Sequence, residues 1–207
     1  MPKRKFVPIL RGRLCFDRRV WMTILPYFLA HIGAQASIFW IPTFIKRLSG
    51  LSPSQVALLA ALPGLLGILG VLFNSWHSDK TGERRWHASI PLLCSGVAYL
   101  LIRDRSSFSI SMALIVLGGG VFFSYYPAFW SLPTMVLSET AAAASFGMIN
   151  SIGHAGGLIG PYVVGWLNDH GGRISDAFLV IAICYLLAGT FLAFVRVESL
   201  PAQGAAV

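Results

Sequence analysis

QVALLAALPGLLGILGVLFNSW, from Gln55 to Trp76, contains no charged residue and is long enough to cross a lipid bilayer. A hydrocarbon layer about 30 Å thick takes roughly 20 mostly apolar residues at 1.5 Å each. On either side the chain repeats this design. Comparable apolar stretches run approximately over Val20–Ile45, Trp86–Ile102, Ser109–Leu132, Ser145–Leu167 and Ala177–Val195, so six predicted spans use nearly all of the 207 residues. Charges fall in the short gaps between them. Charged residues make up 12% of the chain and hydrophobic ones 56%, whereas a soluble domain carries about 25% charged residues. The pattern predicts an all-α membrane protein. Residues 1–19 form a basic segment, 20–196 a six-helix transmembrane bundle, and 197–207 a tail.

The formal net charge is +8, and its placement bears on topology rather than on nucleic acid. Lys3, Arg4, Lys5, Arg11, Arg13, Arg18 and Arg19 precede the first span, Lys80, Arg84 and Arg85 sit in the second gap, and Arg196 follows the last span. With six crossings these segments share one side and hold 11 of the 16 basic residues; Lys46, Arg47, Arg103, Arg105 and Arg173 take the other. An excess of Lys and Arg marks the cytoplasmic face. The expectation is a multi-pass protein of a bacterial inner (plasma) membrane with both termini cytoplasmic, its basic N-terminal segment also touching anionic lipid. That segment lacks the short apolar core and small-residue cleavage site of a secretory signal. Cys15, Cys94 and Cys184 show neither disulfide spacing nor a Cys/His metal pattern, so no cofactor or metal is expected.

A shift of 90 residues lays part of the chain on itself. Gly67 meets Gly157, Gly70 meets Gly160, Trp76 meets Trp166, Asp79 meets Asp169 and Gly82 meets Gly172. The second span thus resembles the fifth, and the chain divides into two triplets of helices. An odd number of crossings per triplet inserts the copies upside down relative to each other, the plan of inverted-repeat transporters. Pro63, Gly64, Gly67 and Gly70 in the second span, and Gly153, Gly156, Gly157, Gly160 and Gly165 in the fifth, supply small residues for close helix approach. Helices in lipid gain little from apolar contact alone, so such stripes are how they associate.

Polar groups at membrane depth are costly and usually face a bundle interior or cavity. His31 and Gln35 share one face of the first span, Asn150 and His154 one face of the fifth, each at i, i+4 spacing. Tyr125, Tyr126, Trp130 and Ser131 give the fourth span an aromatic and hydroxyl face, interrupted by Pro127 and Pro133. The two histidines suit either proton coupling or a structural hydrogen bond between helices; the aromatics suit either a cavity wall or packing. No span contains a carboxylate. No nucleophile, base or metal arrangement at matched depth points to an enzyme.

The sharpest local signal is HSDKTGERRWH, His77–His87. Asp79 ends one helix, Gly82 permits a tight turn, and Arg84–Arg85 open the next helix. A carboxylate there can meet the positive end of a neighbouring helix, and arginines can pair with carboxylates or lipid phosphate. Asp79, Lys80, Gly82, Arg84 and Arg85 therefore form a candidate cytoplasmic gate, against the plainer alternative of a hydrated loop that sets topology.

This segment resembles the signature loop of the major facilitator superfamily. It is similar, more narrowly, to the version in the anion:cation symporter family. The same family likeness extends to SGLSPSQVALLAALP (Ser49–Pro63), PAFWSLPTMVLSETAAAASFGMINSIGHAGGLIGPYVVGWL (Pro127–Leu167) and RVWMTILPYFLAHIGAQASIFWIPTFI (Arg19–Ile45), and covers about Asp17 to Val195. Departures are Ser75 for the loop's leading Gly, Trp76 for a frequent Arg, and His154 for a common Asn. Members of that family are about twice as long, with twelve spans, and this chain resembles their second half. The resemblance implies half of a major facilitator fold, working with an N-terminal six-helix half to carry a small organic anion with a proton by alternating access. It further implies substrate contact at Asn150 and Ser131, on cavity-lining helices that also bear Gln35, His31, His154, Trp130 and Tyr126. A truncated remnant that transports nothing and a six-helix subunit working as a homodimer are the alternatives.

Overall fold

The computed structural model describes residues 18–102, 107–136 and 139–195, and among them every regular element is helical. The helices are α1 (Arg18–Ser49), α2 (Pro53–Thr81), α3 (Arg85–Ile102), α4 (Phe108–Phe123), α5 (Tyr125–Val136), α6 (Glu139–Asp169) and α7 (Ile174–Ala193). The tail at 197–207 and all but the last two residues of the basic segment lie outside the described residues. Among the described residues, four helical stretches are long and apolar enough to cross a membrane by length and composition: Val20–Ser49, Pro53–Thr81, Phe108–Met135 and Ser175–Ala193. The helices α3 and α6 fill two further predicted spans with more small and polar residues.

Local chemistry sets the element ends. Ser52 caps α2 in a reciprocal box, its backbone N–H donating to Gln55 Oε1 at 3.0 Å, while Pro53 occupies the first turn, where its missing N–H costs nothing. The same helix ends at Gly82, whose φ of 68° lies in the left-handed region that a side chain disfavours. The fourth predicted span is interrupted at Ser124, one turn before Pro127. A proline cannot donate to the carbonyl four residues earlier and its ring crowds that carbonyl, so Phe123 cannot continue a regular helix into Pro127. The Ser124 N–H bonds Val121 O instead, at 3.1 Å.

Three seams assemble the bundle. The first packs α1 against α6 through glycine: a Cβ at Gly156 would lie 2.5 Å from the Phe28 carbonyl oxygen, and one at Gly160 would overlap the Ile32 carbonyl oxygen. The second packs α2 against α4, where a Cβ at Gly67 would lie 2.7 Å from the Phe123 ring and one at Gly120 would lie 2.7 Å from Leu66. In the third, α3 runs along α7, with Ser89 Oγ donating to Gly189 O at 2.7 Å. Tyr99, Tyr185, Phe122, Phe129, Ile149 and Ile181 fill the space between the seams. In contrast, Leu58, Leu65, Leu69, Leu72 and Phe73 leave one side of α2 apolar and exposed, and Leu158 and Tyr162 do the same on α6.

Candidate functional site

The glycine seam between α1 and α6 fixes a cluster of rings. A Cβ at Gly153 would overlap the Tyr27 ring, so glycine lets Tyr27 lie flat against α6. That seating carries the next residue, His154, to His31: their ring centroids are 4.5 Å apart at 81°. His31, 3% exposed, also lies 4.1 Å from the Tyr27 ring and 6.3 Å from the Tyr126 ring. Tyr27 stacks on Phe129 at 4.9 Å and meets Trp130 edge-on at 5.0 Å. Trp130 in turn meets Phe146 at 5.6 Å.

The hydrogen bond made by His31 assigns its tautomer. Its Nδ1 lies 3.1 Å from the Tyr27 carbonyl oxygen, which can only accept, so Nδ1 carries the proton. In the neutral ring Nε2 is then an acceptor, and in the charged ring a second donor. One turn further along α1, Gln35 is half-buried beside Gly157, where a Cβ would come within 2.9 Å of its Cγ. Ser131 Oγ donates to Pro127 O at 2.8 Å, which leaves its lone pairs available. Asn150 is exposed on α6, one turn before His154. The structure thus gathers His31, His154, Tyr126 and Trp130 around Tyr27. It sets Gln35 at the edge and leaves Ser131 and Asn150 flanking the cluster. Aromatic faces, ring nitrogens, hydroxyls and amides are what this region offers a ligand.

A cavity of about 200 Å³ opens further along α1, between Ser37, Ile38 and Ile41, Ala61 and Gly64 of α2, and Phe122 and Phe123 of α4. The Tyr99 hydroxyl at its wall is fully buried. None of the residues predicted for the site lines this cavity.

The residues predicted for the gate form a second cluster across the turn between α2 and α3. Arg84 Nη1 lies 2.6 Å from Asp79 Oδ1 and donates to Ser78 Oγ at 3.0 Å. Ser78 Oγ donates onward to Glu83 O at 2.8 Å, which ties the turn to the end of α2. Gly82 makes the reversal possible. The Lys80 ammonium sits 5.2 Å from the Trp76 ring centroid and the Arg85 guanidinium 4.8 Å from that of Trp86, so both cations rest on indoles. The carboxylate at the start of α3 belongs to Glu83, which accepts from Trp86 N at 2.9 Å and His87 N at 3.3 Å. Of the partners the sequence offered Asp79, a neighbouring helix end or an arginine, it pairs with Arg84.

The sequence pattern of the Major Facilitator Superfamily matches residues 23–206. The chain belongs to the major facilitator superfamily. Among its relatives, a protein of Agrobacterium vitis named "Putative tartrate transporter" is 37% identical over 167 residues, 80% of this chain and 38% of that protein. The Escherichia coli (strain K12) "Inner membrane transport protein RhmT" is 35% identical over 147 residues, 69% of this chain and 33% of that protein. A "Quinolone resistance transporter" of Acinetobacter baumannii is 29% identical over 184 residues, 88% of this chain and 42% of that protein. The chain therefore spans about two fifths of the length of the curated relatives it matches. Its family and its long apolar helices make it an integral membrane protein of a transporter family rather than an enzyme.

Within this major facilitator chain, sequence reasoning missed Tyr27 and Glu83. Tyr27 stands four residues before His31, the same i, i+4 spacing that singled out Gln35, so periodicity alone could have included it. Glu83 stands three residues before the first amide it caps, the usual reach of a capping side chain.

Proposed function

We propose that this chain is the C-terminal six-helix half of a twelve-helix carrier that moves a small organic anion together with a proton by alternating access. The observation that carries the reading is the His31–His154 contact, 4.5 Å between ring centroids at the seam of α1 and α6. One ring can exchange a proton at Nε2 while the amides of Asn150 and Gln35 donate to a carboxylate and Ser131 Oγ, its own proton held by Pro127 O, accepts from a hydroxyl of the anion. The relatives' names, tartrate among them, support a carboxylate as cargo.

Helix neighbours support two inverted triplets. Exchanging α1 with α4–α5, α2 with α6 and α3 with α7 maps the α1–α6 seam onto α4–α2, maps α1–α7 onto α4–α3, and leaves α3–α7 unchanged; all of these pairs pack. The exposed apolar sides of α2 and α6 suit a second six-helix unit, and the basic excess around the Gly82 turn supports a cytoplasmic side for that turn in a bacterial inner membrane. The test is co-production with an N-terminal half and uptake of radiolabelled tartrate and a panel of other carboxylates, with and without an uncoupler. Uncoupler-sensitive uptake of one anion is the expected result. Uptake unaffected by the uncoupler removes the proton from the reading, and uptake by this chain alone as a dimer replaces the N-terminal half with a second copy.

A further inference from the structure

The turn between α2 and α3 holds a chain of three titratable groups that the gate does not use. His77 Nδ1 and His87 Nε2 face each other at 2.6 Å, and His87 Nδ1 lies 3.1 Å from Glu83 Oε2. The Glu83 carboxylate accepts at one end, His87 relays through its two nitrogens, and His77 closes the chain on the last turns of α2. From this geometry we infer that the His77–His87 bond is an acid-released fastener between α2 and α3, closed when the pair holds at most one extra proton and open when both rings are charged.

The reasoning is one of proton count. Two ring nitrogens in hydrogen-bond contact need a proton on one and a lone pair on the other. With both rings neutral, His87 donates from Nδ1 to Glu83 and accepts at Nε2 from His77. With one extra proton, the His87 imidazolium donates in both directions, to Glu83 and to a neutral His77. A second proton leaves two N–H groups and two positive charges face to face, and no tautomer restores the bond. Histidine is the side chain whose charge ordinarily changes between about pH 5 and 8, so acidification is the condition that probes the bond. The neighbouring charges are Asp79 and Lys80 on α2, Arg84 on the turn and Arg85 on α3. Asp79 and Arg84 neutralise each other, while Lys80 and Arg85 sit on indoles. At the junction of α4 and α5, the Ser124 carbonyl is held by Asn74. Glu83 is therefore the one carboxylate in the chain of rings, and it can offset one imidazolium but not two.

Release matters because α2 packs chiefly on α4, and its ties to α3 gather at this end: Asn74 to His87 O at 2.9 Å, the His77–His87 bond, and the Asp79–Arg84 pair across the turn. Losing the middle tie frees the end of α2 relative to α3. The inference stands on this chain alone and needs neither a substrate nor a partner half.

The test is hydrogen–deuterium exchange of the full chain in lipid nanodiscs at pH 7.5 and 5.5, with rates corrected for intrinsic pH dependence. Protection of the segment from Thr81 to Ser89 should fall about tenfold on acidification in the wild type. In His77→Gln and in His87→Gln, which cannot become a pair of cations, the fall should shrink to less than twofold. His77 is exposed, so its replacement leaves the core intact, and protection of α7 reports folding in every sample. Equal wild-type protection at both pH values overturns the inference, and so does an undiminished fall in both variants.

Discussion

Asp79 and Arg84 form an ion pair across the Gly82 turn, 2.6 Å between Oδ1 and Nη1, although the Asp79 side chain is 68% exposed. Water screens such a pair, so its own worth is about 0.2–1 kcal/mol. Arg84 does more, because it also donates to Ser78 Oγ, which is fully buried. In a double-mutant cycle of Asp79→Asn and Arg84→Gln, followed by SDS-induced unfolding, the coupling should fall within that range. Arg84→Gln should be the costlier single change. A coupling indistinguishable from zero would show that the pair contributes geometry but no stability.

The seam of α1 and α6 makes a sharper prediction. At Gly160 a methyl group meets the Ile32 carbonyl oxygen, and backbone cannot swing aside as a side chain can. Gly160→Ala should cost about 1–3 kcal/mol through forced separation of the helices. Gly147, on the same helix, has nothing within 4 Å of the added methyl. There Ala should stabilise by about 0.5–1 kcal/mol, as expected for removing glycine from a helix interior. Melting of the two variants in the same detergent checks this, and equal effects would refute the seam as drawn.

The parts of the molecule set by the bilayer were legible in the sequence, and the parts set by particular neighbours were not. Helices cover nearly all of the apolar stretches, the fourth being broken at Ser124, because a chain in hydrocarbon has to satisfy its backbone groups internally. Gly156 and Gly160 could be read as a packing stripe because spacing alone defines the face. The break at Ser124 could not be placed, since the proline that causes it acts on a carbonyl one turn earlier and any of several residues could have yielded. Tyr27 escaped notice because its place depends on a missing side chain at Gly153, far away in sequence. The approach of His31 to His154 follows from the same missing atom. Two polar pairs at i, i+4 spacing gave the faces, and only the folded seam brought those faces together.

Asn74 provides a test of how α2 is anchored. Its amide donates to Ser124 O at 2.6 Å and to His87 O at 2.9 Å, which joins α2 to the α4–α5 break and to α3. His87 O lies four residues before Pro91, which has no N–H to offer it, and Ser124 O lies at the break between α4 and α5. Asn74→Ala should cost about 1–3 kcal/mol, the penalty of leaving buried acceptors unpaired. It should also raise hydrogen exchange around Ser124. Unchanged exchange there would mean that the break is held by Pro127 alone.

Asn150 is the counterpart with the opposite expectation. It is exposed on α6, so Asn150→Ala should change stability by no more than about 0.5 kcal/mol, as for other surface positions. Its amide nevertheless points to a role in binding under the proposed reading, because it lies one turn from His154 and can donate to a carboxylate without introducing a fixed charge. A hydrogen bond to a charged group is worth about 1.5–3 kcal/mol, so its loss should weaken an organic anion by roughly ten- to a hundredfold. Asn74→Ala should leave affinity nearly unchanged while lowering stability, so the two asparagines separate binding from folding in one experiment. The measurement is equilibrium binding of radiolabelled carboxylates to the assembled two-half carrier, wild type against each variant, with melting recorded on the same samples. Equal affinity in wild type and Asn150→Ala, for every anion that binds, would take Asn150 out of the site and leave the carboxylate to Gln35 and the histidine pair.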